Sequence, residues 1–444
     1  MTLNSTLSVS ADLPEGLRAA VRGRVWSPGD ADFDSVRRPW NLAVEQPALA
    51  VVEAADEADV AALVRYASAA KVGISTQPNG HGATGRTEGT ILLRTGRLDR
   101  IEIDAAARRA RIGAGVRSGS LQDAAAKHGL TGLPGSSPVV SVTGVVLGGG
   151  LSWFGRAHGW VADSVTAFDL VDAVGRPQRV TAGSDPELFW ALRGGGGDYA
   201  IVTGLELALH DAPALFGGRM LWNGTHGRAV VDAYRAITQH APVELTAWLE
   251  LLHFPGADPM IAIDSTYLGD EDAARKLLAD LDRLPAPLSD TRRPMSVAEL
   301  GSITAEPTDP GPGQSHSELL TGLDDDTIAT LLAEPISPLM MLQIRHLGGA
   351  LTQPSDSPYG PLTEPYMAYM FGVPTEPATA EAITVKQRSL AGALPVSGRR
   401  PVTFLDPAET LADALPPDSI ERLRRIKAER DPANLFRSNF GVAV

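Results

Sequence analysis

Between residues 72 and 82 the chain runs a short strand-like segment, Val72-Gly-Ile-Ser-Thr-Gln77, straight into the turn Pro78-Asn79-Gly80-His81-Gly82. Glycine on both sides of the histidine strips away side-chain bulk, permits positive φ and lets backbone approach a bound group closely. Such a turn fits a strand end that meets a ligand, with the imidazole aimed at it. What surrounds it is α/β-like. Residues 48–53 read as an apolar strand, and Asp56 opens a helix through Lys71 with Val60, Leu63, Val64 and Ala67 on one face. Short strands follow at 91–93, 101–103 and 110–112, then a helix from Ser120 to His128 with Gly129 at its C′ position. A glycine-rich stretch covers 132–159, and 165–174 and 201–209 read as strands again. The alternation predicts an α/β or α+β domain over 47–210.

Residues 211–400 differ in texture. Strand candidates at 245–252, 260–267, 339–346 and 366–373 alternate with helix candidates at 227–240, 271–283, 324–334 and 376–393. This predicts a second domain, an antiparallel sheet covered by helices. The Pro/Gly-rich stretch 285–314 reads as a long loop. Residues 1–46 are expected to pack on the first domain. Residues 401–444, with a basic amphipathic helix at 418–430, are expected to return to it. The fold class is α+β.

Composition narrows the function. A chain of 444 residues with 43% hydrophobic and 21% charged residues can build two or three globular domains. A formal net charge of −14 argues against nucleic acid or an anionic membrane as the main partner. The absence of cysteine excludes disulfides, thiolate metal sites and a cysteine nucleophile. The first ten residues lack the features of a secretion signal, and no stretch is long and apolar enough to span a membrane, so a cytoplasmic protein is expected. No histidine or carboxylate spacing marks a metal site. Asp324-Asp-Asp326 reads as a helix cap, and there is no Gly-x-Ser-x-Gly elbow.

Three glycine clusters remain: Gly113-Ala-Gly115, Gly148-Gly-Gly150 and Gly194-Gly-Gly-Gly197. None fits G-x-G-x-x-G, because Trp153 and Tyr199 stand where a last glycine is needed, and no lysine follows as in a P-loop. A Rossmann NAD site and an NTPase are both disfavoured. Glycines in this number still point to backbone against a ligand, most simply a pyrophosphate cradled by N–H groups.

The order of these segments resembles the FAD-linked oxidases of the vanillyl-alcohol oxidase/PCMH fold, in their berberine-bridge-enzyme-like branch. The matching segments are Gly80-His81-Gly82, Arg111-Ile-Gly-Ala-Gly115, Gly144-Val-Val-Leu-Gly-Gly-Gly150, Gly159-Trp-Val-Ala-Asp163, residues 185–197, Ile201-Val-Thr203, and at the C-terminus residues 422–427 and 431–437. The resemblance implies a PCMH-type FAD-binding domain of two α/β subdomains followed by a substrate domain. It places His81 where the family bonds a ring nitrogen to the flavin 8α-methyl. Ser137, in Gly135-Ser136-Ser137-Pro138, stands where many members have a second, cysteinyl attachment, so the flavin can be tethered here only once. By the same resemblance Gln77, Pro78, Asn79, Gly80, Gly82, Gly135, Ser136, Ser137, Val140, Thr143, Gly144, Gly149 and Gly150 line the pyrophosphate and ring. Val202 lies on the adenine or ribitol side, and Asn439 reaches back to the ring.

The substrate side departs from the family. Where relatives carry a Tyr-x-Asn-Tyr-like segment, this chain has Pro401-Val-Thr-Phe404, which removes the expected proton acceptor. Substitutes on the substrate sheet are His346, Tyr366 and Tyr369. Tyr366 and Tyr369 are three apart and so point to opposite faces of a strand. Along 250–254, Glu250, Leu252 and Phe254 share one face, and Leu251 and His253 share the other, facing pocket or solvent. The expected activity is that of an FAD-dependent oxidase. It takes a hydride from an alcohol, amine or natural-product intermediate and passes electrons to O2, giving hydrogen peroxide. The alternatives are a flavoprotein without redox turnover, as a cyclase or binding partner, and a dehydrogenase with another electron acceptor.

Overall fold

Asp56 accepts the N–H of Asp59 at 3.1 Å and so starts the helix Glu57–Ala70, which Lys71 ends in a left-handed conformation with φ 56°. The helix lays Val60, Leu63, Val64 and Ala67, all without solvent exposure, into a core shared with a four-stranded sheet. In the computed structural model, which describes residues 5–212 and 214–442, that sheet runs Arg24–Trp26, Ala50–Glu53, Thr90–Arg94, Gly73–Thr76. The last three strands are parallel, and all but their final residues are buried. From the N-terminal segment, Leu13 and Leu17 join the same core.

A second, antiparallel sheet follows, ordered Ile101–Asp104, Arg109–Gly113, Ile201–Ala208, Val165–Val171, Pro177–Val180. The glycine-rich stretch between its strands Arg109–Gly113 and Val165–Val171 contains a short helix, Val142–Leu147, capped by Ser141. Its glycines let separate segments touch. A Cβ on Gly148 would come within 2.5 Å of Thr403, and one on Gly194 within 3.3 Å of Gly149.

The third sheet is eight-stranded. Its main path runs from Ser289–Asp290 through Phe216–Asn223, Met260–Tyr267, Leu245–Leu252, Met341–His346 and Tyr366–Gly372 to Gln314–Leu320. The strand pairings are antiparallel. Two of these strands are unexpected from sequence. Phe216–Asn223 is interrupted by Gly217-Gly218, and Gln314–Leu320 opens with polar residues. The stretch 285–314 is also more than a loop, because it supplies two edge strands and the short helix Gly301–Thr304. The expected helix 271–283 is broken into Glu271–Leu277 and a 3-10 turn, Leu281–Arg283.

Strand alternation gives this sheet two chemically distinct faces. Leu249, Leu251, Ile263, Leu342, Ile344, Tyr366, Ala368 and Met370 face the covering helices, with Val230, Val231 and Tyr234 of the helix Gly227–His240. Trp248 and Met367 face the other way, into the core of the first domain. Leu251 therefore belongs to the helix side, and His253 lies past the strand end. The face turned to the first domain is that of Trp248 and Glu250, not that of Leu251 and His253.

The C-terminal segment closes the structure. The Ile74 N–H donates to Leu435 at 2.7 Å and the Arg437 N–H to Ile74 at 2.9 Å, so residues 435–437 lie beside Gly73–Thr76 at the base of the His81 turn. Buried Lys427 holds this return, donating to Asp431 at 2.7 Å and to the carbonyls of Asp198 and Phe436 at 2.8 Å. Residues 400–409 are fastened to the third sheet by charge. His316 bonds Glu318 at 2.9 Å and Asp406 at 3.3 Å, while Arg400 pairs with Glu318 at 2.5 Å and Glu409 at 2.7 Å. His316, Asp406 and Glu409 have the donor set of a metal site, their ligand atoms lying within 4.8 Å of one another. Arg400 and a protonated His316 already meet these carboxylates.

This latch has a pH dependence. Burial pulls the His316 imidazolium down, but hydrogen bonds to Asp406 and Glu318 and the charge of Glu409 outweigh it and push the group up to about 9. The unfolded value is about 6.5. A raised histidine stabilises fully below about pH 6.5 and loses that contribution as pH rises through about 9. The stake is on the order of 3 kcal/mol for this largely buried ring. The melting-temperature gap between wild type and His316→Gln should be widest at pH 6 and nearly closed at pH 10. An equal gap at both pH values would refute the latch.

Candidate active site

The strand Gly73–Thr76 delivers the His81 turn to the junction between the domains. Gly80 takes φ +77°, and a Cβ there would sit 2.7 Å from Pro39, so only glycine closes this turn without strain. Asn79 donates to the Val139 carbonyl at 2.6 Å and accepts the Trp40 N–H at 2.8 Å. The turn is thereby tied to residues 135–144. Asn439 donates to the Gly82 carbonyl at 2.7 Å. Gln77 is buried beneath the turn, within 3.4 Å of Arg94. Gly82 and Gly144 face open space, and the nearest atom to a Cβ on Gly135 is 3.8 Å away. Gly149 and Gly150 take φ +87° and +78°. Ser136 and Ser137 lie on the same segment as Gly135, Val140 accepts the Ser118 N–H at 2.8 Å, and Val202 packs in the core of the second sheet.

His81 stacks on Trp40 with ring centroids 4.0 Å apart. Both of its ring nitrogens are buried and have no hydrogen-bond partner. Burial, with a smaller contribution from the Arg117 charge, lowers the imidazole to about 4, so it is neutral at pH 7 with a free ring lone pair. Ser137 Oγ, Thr143 Oγ1, Thr403 Oγ1 and Ser438 Oγ are likewise buried and unpartnered. Buried polar atoms are normally satisfied. Their gathering beside glycines that face open space fits a large polar group such as FAD.

Opposite stands the inner face of the third sheet. Trp248 stacks on Trp153 of the first domain, ring centroids 3.4 Å apart. Beside it Arg219 bonds Asp264 through two 2.6 Å contacts and Glu250 through another of 2.6 Å. Glu250 accepts from Gln343, which accepts in turn from Arg345. Burial and the Asp264 charge, opposed by Arg219, push Glu250 up to about 8.

The three catalytic candidates on this sheet separate. Tyr369 lies on the inner face, edge-on to Phe404 with centroids 5.6 Å apart, and burial raises its phenol. Tyr366 lies on the outer face, its hydroxyl 2.8 Å from Thr238. His346 has the same strand parity, beside Tyr366, and burial followed by the Arg156 charge lowers it to about 3. Both point away from the junction, which removes them as acid–base groups there. The array of Arg219, Glu250, Asp264, Gln343 and Arg345 was not foreseen. Its one sequence signal is charged residues at alternate positions within otherwise apolar strands.

Residues 48–181 match the sequence family described as FAD binding domain. The chain carries an FAD-binding domain in the PCMH/vanillyl-alcohol-oxidase fold, the fold shared by berberine-bridge-enzyme-like proteins, and is an FAD-dependent oxidoreductase. Among similar proteins, (R)-6-hydroxynicotine oxidase of Paenarthrobacter nicotinovorans is 27% identical over 95% of this chain and 97% of its own length. The FAD-dependent monooxygenase prx3 of Penicillium roqueforti is 29% identical over 51% of this chain, a match spanning 48% of that protein. The fold is that of BBE-like 1 from Physcomitrella patens, with a TM-score of 0.86 over 97% of this chain and 98% of that one at 21% identity. Among the described residues no helix is long and apolar enough to cross a membrane.

Proposed function

We propose that this chain is an oxidase that holds FAD by one covalent bond from His81 and oxidises its substrate between the first domain and the inner face of the third sheet. The observation that carries this is the state of His81, buried and neutral with both ring nitrogens unengaged. FAD, when bound, supplies the redox chemistry, accepting a hydride from a substrate C–H and passing the electron pair to O2 to give hydrogen peroxide. The backbone of 77–82 and 135–144, with Ser137, Thr143 and Asn439, would hold and orient the cofactor. Trp153 and Trp248 exclude water from one side.

Among the described residues the inner face offers no free base. Phe404 has no acidic proton to exchange, the Tyr369 phenol is held high by burial, and both oxygens of Glu250 are engaged, by Arg219 and Gln343. That favours a substrate whose C–H cleavage is assisted by its own nitrogen lone pair, an amine, over an alcohol that must lose a proton. The full-length relative is by name an oxidase of 6-hydroxynicotine. The test is anaerobic photoreduction of the purified protein followed by air. Flavin colour should return with an equivalent of peroxide. Slow recovery without peroxide would rule out the oxidase and leave a dehydrogenase or a non-redox flavoprotein.

A further inference from the structure

Arg345 differs from the other buried arginines. Arg156 spends its N–H groups on the carbonyls of Leu245, Leu347, Ala241 and Pro242. Arg219 is matched by Asp264 and Glu250, and Arg292 by Asp282 and Asp290. Arg345, only 5% exposed, donates through Nε to Gln343 and makes no other hydrogen bond or salt bridge among the described residues. Its guanidinium carbon lies 4.1 Å from the Trp248 ring centre, 5.1 Å from that of Phe404 and 5.6 Å from that of Tyr369. Aromatic faces stabilise the cation, but they accept none of the in-plane N–H groups at its edge. Neither Nη is among the fully buried unpartnered atoms, so each keeps some accessible surface.

The position is functional ground. Trp248 is stacked on Trp153, and Thr403, next to Phe404, packs on Gly148 of the glycine cluster. Arg345 thus sits on the inner face beside the segment that replaces the family's tyrosine. Its orientation is built: Gln343 holds Nε, Glu250 holds Gln343, and Arg219 with Asp264 holds Glu250. A desolvated guanidinium with two unengaged edge groups is costly unless an anion meets it.

We propose that the Nη groups of Arg345 bind a carboxylate of the substrate, making this a site for small carboxylate-bearing molecules. A planar carboxylate matches the guanidinium fork. A dianionic phosphate fits less well, because among the described residues the site has this one unpaired guanidinium, on which Glu306 of the 285–314 stretch, and then Glu250 and Asp264, already act electrostatically. The inference rests on the proposed oxidase for where the substrate lies.

Benzoate and its uncharged analogue benzamide are the probes, titrated into the purified holoprotein by calorimetry and by the flavin difference spectrum. Benzoate should bind about tenfold or more tightly than benzamide, and R345Q should lose about tenfold or more of benzoate affinity while binding benzamide as wild type does. R345K, which keeps the charge but not the fork, should fall between. Equal binding of the two probes by wild type, no binding of benzoate, or unchanged benzoate binding by a folded R345Q would overturn the proposal. If R345Q does not fold, the wild-type comparison and R345K decide it. Calorimetric preference for benzoate in a protein that carries no flavin would sink the oxidase and leave this site standing. Bound flavin with no preference would do the reverse.

Discussion

His81→Ala protein should lose all covalently held flavin. On an acid-precipitated gel under ultraviolet light the wild-type band should fluoresce yellow-green and the variant band should be dark. The loss should be complete because the chain has no cysteine to offer a second tether. The fold should survive. The His81 ring nitrogens make no hydrogen bond, so the substitution forfeits the stack on Trp40, about 1 kcal/mol, and little else. Flavin should still bind reversibly, since Ser137, Thr143 and the 77–82 backbone remain. A variant band that fluoresces as wild type does would place the bond elsewhere. A wild-type band that is dark while the native protein is yellow would leave FAD bound but not bonded.

The cofactor side was legible because its signals are local. Asp56 and Lys71 bracket a helix that the 3.6-residue period already marks, and Gly80-His81-Gly82 follows a strand of only four residues, Gly73–Thr76. Each of these needs a window of a dozen residues. The substrate side was not legible in that way. Glu250, Asp264 and Arg219 come from three strands, and their meeting depends on a pairing register that no single strand encodes. Gln314–Leu320 carries no strand signal of its own because its polar side chains take their partners from residues near 400. Periodicity did say that Tyr366 and Tyr369 face opposite ways. Deciding which one faces inward required knowing what covers each side of the sheet.

Arg219→Met should cost roughly 3–5 kcal/mol, the expense of leaving buried carboxylates without their counter-charge. Asp264 is 0% exposed and Glu250 1% exposed, so neither can recruit water in place of the guanidinium. The melting temperature should fall by roughly 3–5 °C. Two further arms separate this from a simple loss of packing. First, Arg219→Met combined with Asp264→Leu removes the repulsion together with the cation and should recover most of the loss, because an apolar replacement of a buried ion pair is close to neutral. Second, the deficit should shrink in acid. Burial raises both carboxyls, Glu250 to about 8 even with Arg219 present, and losing the cation raises them further. A carboxyl whose folded value lies above its unfolded value near 4 favours folding less and less as pH climbs through that interval. Below the wild-type folded value both proteins hold the proton and lose stability in parallel; above it only the variant still does, so the gap between wild type and Arg219→Met should be smaller at pH 5 than at pH 9. A gap that widens toward pH 5, or a double variant no more stable than the single one, would mean that Arg219 acts through packing and not through charge.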